Sequence, residues 1–152
     1  MEIKKDYKLN DLIDIFNENN QGFVFDKSSI TSNEFIRYVY VENEEPLGYL
    51  VLYPKSDFAI KENYDVKVSI PENSIYIWHI ITKKGHERKG VAKTLINFLK
   101  NVYKNFNIYS IVDENNSPSN HLHKSLGFLP VDKFKKAYKD TLETYTLVKF
   151  QN

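Results

Sequence analysis

The chain has 152 residues, of which 41% are hydrophobic, 14% aromatic and 27% charged. That composition excludes a disordered tail and predicts one soluble domain with a substantial core, spanning residues 1–152. The net charge of +1, from 21 basic and 20 acidic side chains, argues against a dedicated nucleic-acid binder. The absence of cysteine excludes a disulfide framework, a thiolate metal site and a cysteine nucleophile, and fits a cytoplasmic location.

No membrane segment or export signal is expected. The longest apolar run, Ile75 to Ile81 with His79 inside it, falls far short of the ~20 residues a spanning helix needs. In chain order, Ile3 to Lys5 reads as a short strand. Leu9, Leu12, Ile13 and Phe16 recur at helical spacing and predict an amphipathic helix over 8–18. The polar stretch from Asn17 to Asn33, with Phe23 and Phe25, reads as a loop with room for a short helix. Phe35 to Val41 and Leu47 to Tyr53 form a hairpin around Glu42 to Pro46. Residues 54–74 read as a long loop with some strand character, and Ser74 to Thr82 as a buried strand. Val91, Ala92, Leu95, Ile96, Leu99, Val102 and Tyr103 mark a helix, Ile108 to Val112 a strand, and Asn116 to Gly127 a second capped helix. Phe128 to Phe134 and Glu143 to Phe150 are the last strands, joined by the basic segment Lys135 to Asp140. A mixed α/β (α+β) architecture with a central sheet follows.

Two segments carry chemistry. The first is the turn Gly85-His86-Glu87-Arg88-Lys89-Gly90 between a strand and a helix. The first N–H groups of a helix lack partners and sit at its positive end, so this arrangement suits a phosphate. Gly90 permits close approach, and Lys83, Lys84, Arg88, Lys89 and Lys93 add positive charge. The glycine spacing is that of a nucleotide P-loop, but Val91 and Ala92 stand where that motif needs Lys and Ser/Thr; a dinucleotide fingerprint fails as well. A solvated basic connection is the plain alternative. The second segment runs from Asn116 to Phe128. Ser119 and His123, four residues apart, share a helix face, and a histidine can deliver a proton near neutral pH. A packed histidine with one hydrogen bond is the plain alternative. His121 and His123 diverge on a helix and lack an acidic or thiol partner at ligand spacing, so no metal is expected.

Together the two segments resemble the GNAT superfamily of N-acetyltransferases. That family pairs a turn of form Arg/Gln-x-x-Gly-x-Gly/Ala with a later Asn-x-x-Ala/Ser-x-x-Leu/Phe-Tyr-x-x-x-Gly-Phe. Here the first aligns as Glu87-Arg88-Lys89-Gly90-Val91-Ala92, and the second as Asn116, Ser119, Leu122, His123, Gly127 and Phe128. The resemblance covers residues 75–134. It implies a mixed, splayed sheet of about six to seven strands flanked by about four helices. It also implies acetyl-CoA as co-substrate and no metal. By that analogy the backbone of Ile80, Ile81 and Thr82 bonds the pantetheine, and the amides of Glu87, Arg88, Lys89, Gly90, Val91 and Ala92 hold the pyrophosphate. Asn116, Ser119 and His123 complete the cofactor site. Three departures stand out: Glu87 replaces Arg/Gln, Arg88 stands where many members have Gly, and His123 replaces the Tyr that protonates the departing thiolate. A thiol has a pKa near ~8.5 and a histidine near ~6.5, so an imidazolium is a competent acid for that thiolate.

The implied reaction is direct attack of a neutral primary amine on the thioester in a ternary complex. His79 is the first candidate base, followed by Asp113 and Glu114; Trp78 and Tyr76 read as core. The resemblance places the acceptor, a small molecule or a protein amino group, at the 17–33 loop and the 135–143 turn, and leaves room for a homodimer. No nucleic-acid or membrane partner is expected. The rival is a GNAT-fold protein that binds acyl-CoA without turnover. Charge is segregated: residues 1–82 carry 8 basic and 14 acidic side chains, and residues 83–104 carry 7 and 1. The positive charge therefore surrounds the turn expected to meet the phosphates.

Overall fold

Ser74 to Thr82, rich in Ile, Tyr and Trp, forms a nine-residue strand that anchors the architecture. The structure is a computed structural model that describes residues 1–19, 28–138 and 141–151. Along the chain lie β1 (Glu2–Lys5), α1 (Leu9–Glu18), α2 (Ser28–Thr31), β2 (Ile36–Glu42), β3 (Glu45–Tyr53), α3 (Phe58–Lys61), β4 (Ser74–Thr82), α4 (Val91–Val102), β5 (Asn107–Asp113), α5 (Ser117–Ser125), β6 (Phe128–Tyr138) and β7 (Thr141–Phe150). The strands form one seven-stranded sheet in the order β1-β2-β3-β4-β5-β7-β6. It is mixed: β4 pairs β5 in parallel, whereas β1–β2, β2–β3, β5–β7 and β6–β7 are antiparallel. The expected mixed α/β sheet is present, with five helices among the described residues, two of them single turns.

The chain groups into two compact units. The first comprises Met1–Pro54 and Trp78–Lys104, and the second Lys55–Ile77 and Asn105–Asn152. In the first unit, α1 buries Leu12 and Phe16 as their spacing predicts, together with Ile15, while Leu9 and Ile13 are only half-buried; α4 buries Val91, Leu95, Ile96 and Leu99, whereas Val102, expected on the same face, is exposed. Asn43 and Glu44 both have positive φ (50° and 65°), which closes the β2–β3 hairpin through a tight two-residue turn. The turn is shorter than expected, and Glu45 and Pro46 already belong to β3. A register shift at Tyr40/Val41 leaves Leu47 as the extra residue of β3, and its carbonyl accepts the Lys83 N–H at 2.8 Å. Arg37 is buried. Its Nε donates to Asp6 Oδ1 at 2.7 Å, and its Nη1 donates to the carbonyls of Ser32 (2.7 Å) and Ser29 (3.3 Å).

In the second unit, aromatic rings fill the interior: Phe58 against Tyr76, Tyr76 stacked on Tyr109, and Tyr64 against Phe134. Two expectations are corrected here. Residues 54–74 contain a helical turn, α3, and no strand before β4. The basic run expected as a connection from Lys135 instead extends β6, with Lys135 opposite Thr144 and Lys136 opposite Glu143. Polarity concealed the strand, because the side chains that continue it after buried Phe134 are lysines. Lys136 lies over the Tyr64 ring at 4.4 Å and donates to the Glu62 carbonyl at 2.9 Å, so its stem covers apolar surface while its charge finds partners.

Candidate active site

The turn after β4 lies in the first unit. Gly90 caps α4 in the left-handed conformation (φ 78°), and Arg88 (φ 65°) and Gly85 (φ 88°) are left-handed as well. Gly90 has no side chain to cap the helix, so the first amides of α4 stay open. Among the described residues, the backbone N–H groups of Arg88, Lys89, Gly90, Val91 and Ala92 have no protein partner; the first helical bond is Thr94 N–H to the Gly90 carbonyl at 2.9 Å. A β-carbon at Gly90 would meet nothing within 4 Å, so the space beside Gly90 itself is open. Successive free amides in alternating handedness form a concave, electropositive nest for an anion.

Glu87, the unexpected acid of this motif, is occupied within the turn, where its Oε2 accepts the Gly85 N–H at 2.8 Å. Lys83 pairs with Glu45, which raises the lysine pKa and lowers that of the carboxylate through their hydrogen bond. Glu18 Oε1 accepts the Lys84 N–H at 3.1 Å. These contacts fix the entry to the turn and leave its helix end open.

Sequence reasoning missed Gly48. A β-carbon there would lie 2.6 Å from Val91 Cγ1 and 2.9 Å from the Ile81 carbonyl oxygen. Only glycine lets β3 pass this close to the first residue of α4 and the end of β4. The signal was a lone glycine inside a strand pattern. Ile80 and Thr82 are partly exposed and Ile81 is buried. The parallel pairs with β5 run from Ser74↔Asn107 to Ile77↔Ser110 and end there.

His79 is buried between Phe16 (ring centroids 6.0 Å apart) and Tyr49 (5.5 Å). Burial pushes its pKa down to about 3, so it is neutral at physiological pH and weakly basic. Trp78 sits against Phe35 and Tyr53, and Tyr76 against Phe58, so both are core residues.

The second segment lies in the second unit. Asn116 caps α5 as its composition predicts, Oδ1 accepting the Ser119 N–H at 3.1 Å, with Pro118 in the first turn. Asn120 Nδ2 donates to the carbonyls of Asn116 (2.8 Å) and Asp113 (2.9 Å), tying α5 to the end of β5. His123 is 3% exposed, with its ring edge-on to Phe128 at 5.3 Å. Its Nδ1 lies 2.7 Å from the Ser119 carbonyl and 3.3 Å from Ser119 Oγ. A carbonyl only accepts, so Nδ1 carries the proton. Burial pulls the His123 pKa below the ordinary histidine range, which leaves a neutral ring with a bare Nε2. That Nε2 is buried without a hydrogen-bond partner among the described residues.

His123 lines a cavity of about 320 Å³. Phe128, Leu129, Pro130 and Val148 supply apolar walls; Glu114, Lys124 and Lys133 supply charge. Asp113 is engaged at its own turn, Oδ1 accepting the Asn115 N–H at 2.9 Å, and Glu114 pairs loosely with Lys133 at 3.7 Å. His121 is exposed, and no group of three or more metal-ligating side chains occurs among the described residues. No described helix is long and apolar enough to cross a membrane. Of the segments expected to hold an acceptor, residues 20–27 and 139–140 lie outside the described residues.

Comparison with known proteins bears on both segments. The fold is similar to that of an N-acetyltransferase from Staphylococcus aureus Mu50 (TM-score 0.73, 14% identity, covering 99% of this chain and 98% of that one). It is also similar to Arabidopsis thaliana NAA60 crystallised with acetyl-CoA (TM-score 0.72, 16% identity, 98% and 97% covered). The ribosomal-protein-S18-alanine N-acetyltransferase from Escherichia coli is another structural neighbour (TM-score 0.70, 13% identity, 98% and 92% covered). No curated protein sequence matches the chain. At sequence level, residues 9–128 match the Acetyltransferase (GNAT) family, a span that runs from α1 through the open-amide turn to α5 and Phe128. The chain therefore belongs to the GNAT family of acetyltransferases.

Proposed function

We propose that residues 1–152 act as one N-acetyltransferase that moves an acetyl group from acetyl-CoA to a primary amine by direct attack. The observation that carries this reading is the turn before α4, where five consecutive amides, Arg88 to Ala92, have no protein partner among the described residues. A pyrophosphate supplies the acceptors they lack. The basic side chains of this segment add long-range attraction for an anionic cofactor. Glu87, bonded to Gly85, interferes little. The backbone of Ile80, Ile81 and Thr82, beyond the end of the β4–β5 ladder, would bond the pantetheine. Family membership and a neighbour crystallised with acetyl-CoA support the choice of cofactor.

His123 would protonate the departing CoA thiolate, with Asn116 and Ser119 holding α5 and the ring in place. Because the ring starts neutral, it must first take up a proton. With a pKa of about 3, His79 is too weak a base to hold one near neutrality.

Calorimetry with acetyl-CoA, followed by single-turnover assay of thiol release with a pooled amine library, tests the reading. Binding together with amine-dependent release of one thiol per acetyl group is the expected result. Tight binding with no thiol released by any amine, protein amino groups included, would support the rival, a silent acyl-CoA-binding protein.

A further inference from the structure

We infer that Glu18, at the end of α1, is a positioning residue for the turn before α4: its carboxylate holds the Lys84 amide and so keeps the turn in the shape that leaves the Arg88 to Ala92 amides open to the cofactor. This rests on the acetyltransfer reading above and deepens it.

The turn has a held half and an open half, and all the groups involved lie in the first unit. Four successive amides at its entry are taken up by protein acceptors. The Lys83 N–H donates to the Leu47 carbonyl of β3 (2.8 Å) and the Lys84 N–H to Glu18 Oε1 of α1 (3.1 Å). The Gly85 N–H donates to Glu87 Oε2 (2.8 Å) and the His86 N–H to the Lys83 carbonyl (3.0 Å). The last two bonds lie within the turn and shape it. The first two fasten it to other elements, and of these only the Lys84 bond uses a side chain. Beyond this entry come the unpartnered amides of Arg88 to Ala92.

α1 is a firm base for such a contact. It buries Leu12, Ile15 and Phe16, and the Phe16 ring lies against His79 of β4, the strand that leads into the turn. Asn19 closes the end of the helix: its N–H donates to the Phe16 carbonyl (3.1 Å) and its Nδ2 to the Ile15 carbonyl (2.8 Å). Glu18 itself is exposed, so packing does not explain its place.

The carboxylate has two opposed effects on an anionic ligand. Its charge repels the anion, whereas the bond it accepts orders the turn before binding and lowers the conformational cost of association. Lys83, its pKa raised first by the hydrogen bond to Glu45 and further by the charges of Glu45, Glu18 and Asp11, offsets part of that repulsion. Removing the bond and removing the charge therefore push affinity in opposite directions, and two substitutions separate them.

The test is calorimetry of the full chain with acetyl-CoA, in low and in high salt, with amide hydrogen exchange read at Lys84. Glu18→Ala should weaken binding about fivefold relative to the wild type, the scale of one lost hydrogen bond, and should speed exchange at Lys84. The ratio should persist in high salt, because the loss is one of order and not of charge. Glu18→Gln keeps the acceptor oxygen, so it should retain Lys84 protection and bind at least as tightly as the wild type. Wild-type binding that Glu18→Ala leaves unchanged would overturn the positioning role. So would equal Lys84 exchange in the wild type and Glu18→Ala, or an equal loss of affinity in both variants. Tighter binding by both variants, fading in high salt, would make Glu18 a repulsive charge alone and overturn it as well. Failure of the wild type itself to bind acetyl-CoA would overturn the acetyltransfer reading, and this inference with it.

Discussion

The turn before α4 and the helix α5 are both needed for the proposed chemistry, but they supply it by different means. At the turn the working atoms are backbone amides, left open by the left-handed residues Arg88 and Gly90. A site made of amides depends little on its side chains, so Glu87, whose carboxylate accepts the Gly85 N–H, is compatible with the proposed anion site. On α5 the working atom is a single side-chain nitrogen, Nε2 of His123, whose state is fixed by one hydrogen bond 2.7 Å long and by burial. A backbone site is broken by conformation or by blocking the approach; a side-chain site is broken by chemistry alone.

That contrast can be broken at several points. The largest effect is expected from Gly90→Asp, which strains a residue at φ 78° and sets a carboxylate before the amides. Acetyl-CoA affinity by calorimetry should be lost, and unchanged affinity would remove the phosphate site. His123→Phe should lower turnover about 100-fold, the scale of a lost acid–base group, with cofactor affinity nearly unchanged; equal loss in both would make His123 a binding residue only. Gly48→Ala should destabilise the protein by about 1–3 kcal/mol through overpacking against Val91, read by denaturant unfolding. It should also weaken acetyl-CoA binding while leaving the His123 resonance in place. The smallest effect is expected from Glu87→Gln, because its place is within the turn; a large change in affinity would mean that its charge meets the ligand.

The buried histidines give the contrast a pH dependence. His79 has a folded-state pKa near 3, below the ~6.5 of the unfolded chain. Between these values the unfolded state binds a proton that the folded state does not, so stability falls as pH drops from about 6.5 toward 3, by at most about 1.4 kcal/mol per pH unit for this one group. His79→Phe should flatten the slope of unfolding free energy against pH in that window. At His123 the same depression acts on chemistry. At pH 6.5 its ring should still be mainly neutral with the proton on Nδ1, and an NMR titration showing the imidazolium there would contradict the neutral resting state.

Much of this was legible from residue order. The helical spacing of Leu12 and Phe16, and of Leu95 and Leu99, marked α1 and α4; the apolar run from Ile75 marked β4; Asn116 and Pro118 marked the start of α5. These signals are local, and local physics sets them. What stayed hidden depends on partners distant in the chain. Arg37 reads as a polar interruption of β2 until Asp6 and the Ser29 and Ser32 carbonyls are brought around it. Gly48 is an unremarkable glycine until Val91 arrives against it. The continuation of β6 through Lys135 and Lys136 is set by pairing with β7, not by apolar alternation. The neutral state of His123 follows from its burial, which outweighs the opposite pull of the Ser119 carbonyl, and that carbonyl fixes Nδ1 as the protonated nitrogen; the four-residue spacing suggested the contact but not the protonation.

A crystal structure with acetyl-CoA bound tests the central claim most directly. Pyrophosphate oxygens within hydrogen-bond distance of the Arg88 to Ala92 amides, with the thioester sulfur reached by His123 Nε2, is the predicted result. A pyrophosphate held by side chains elsewhere, or a thioester remote from His123, would contradict it.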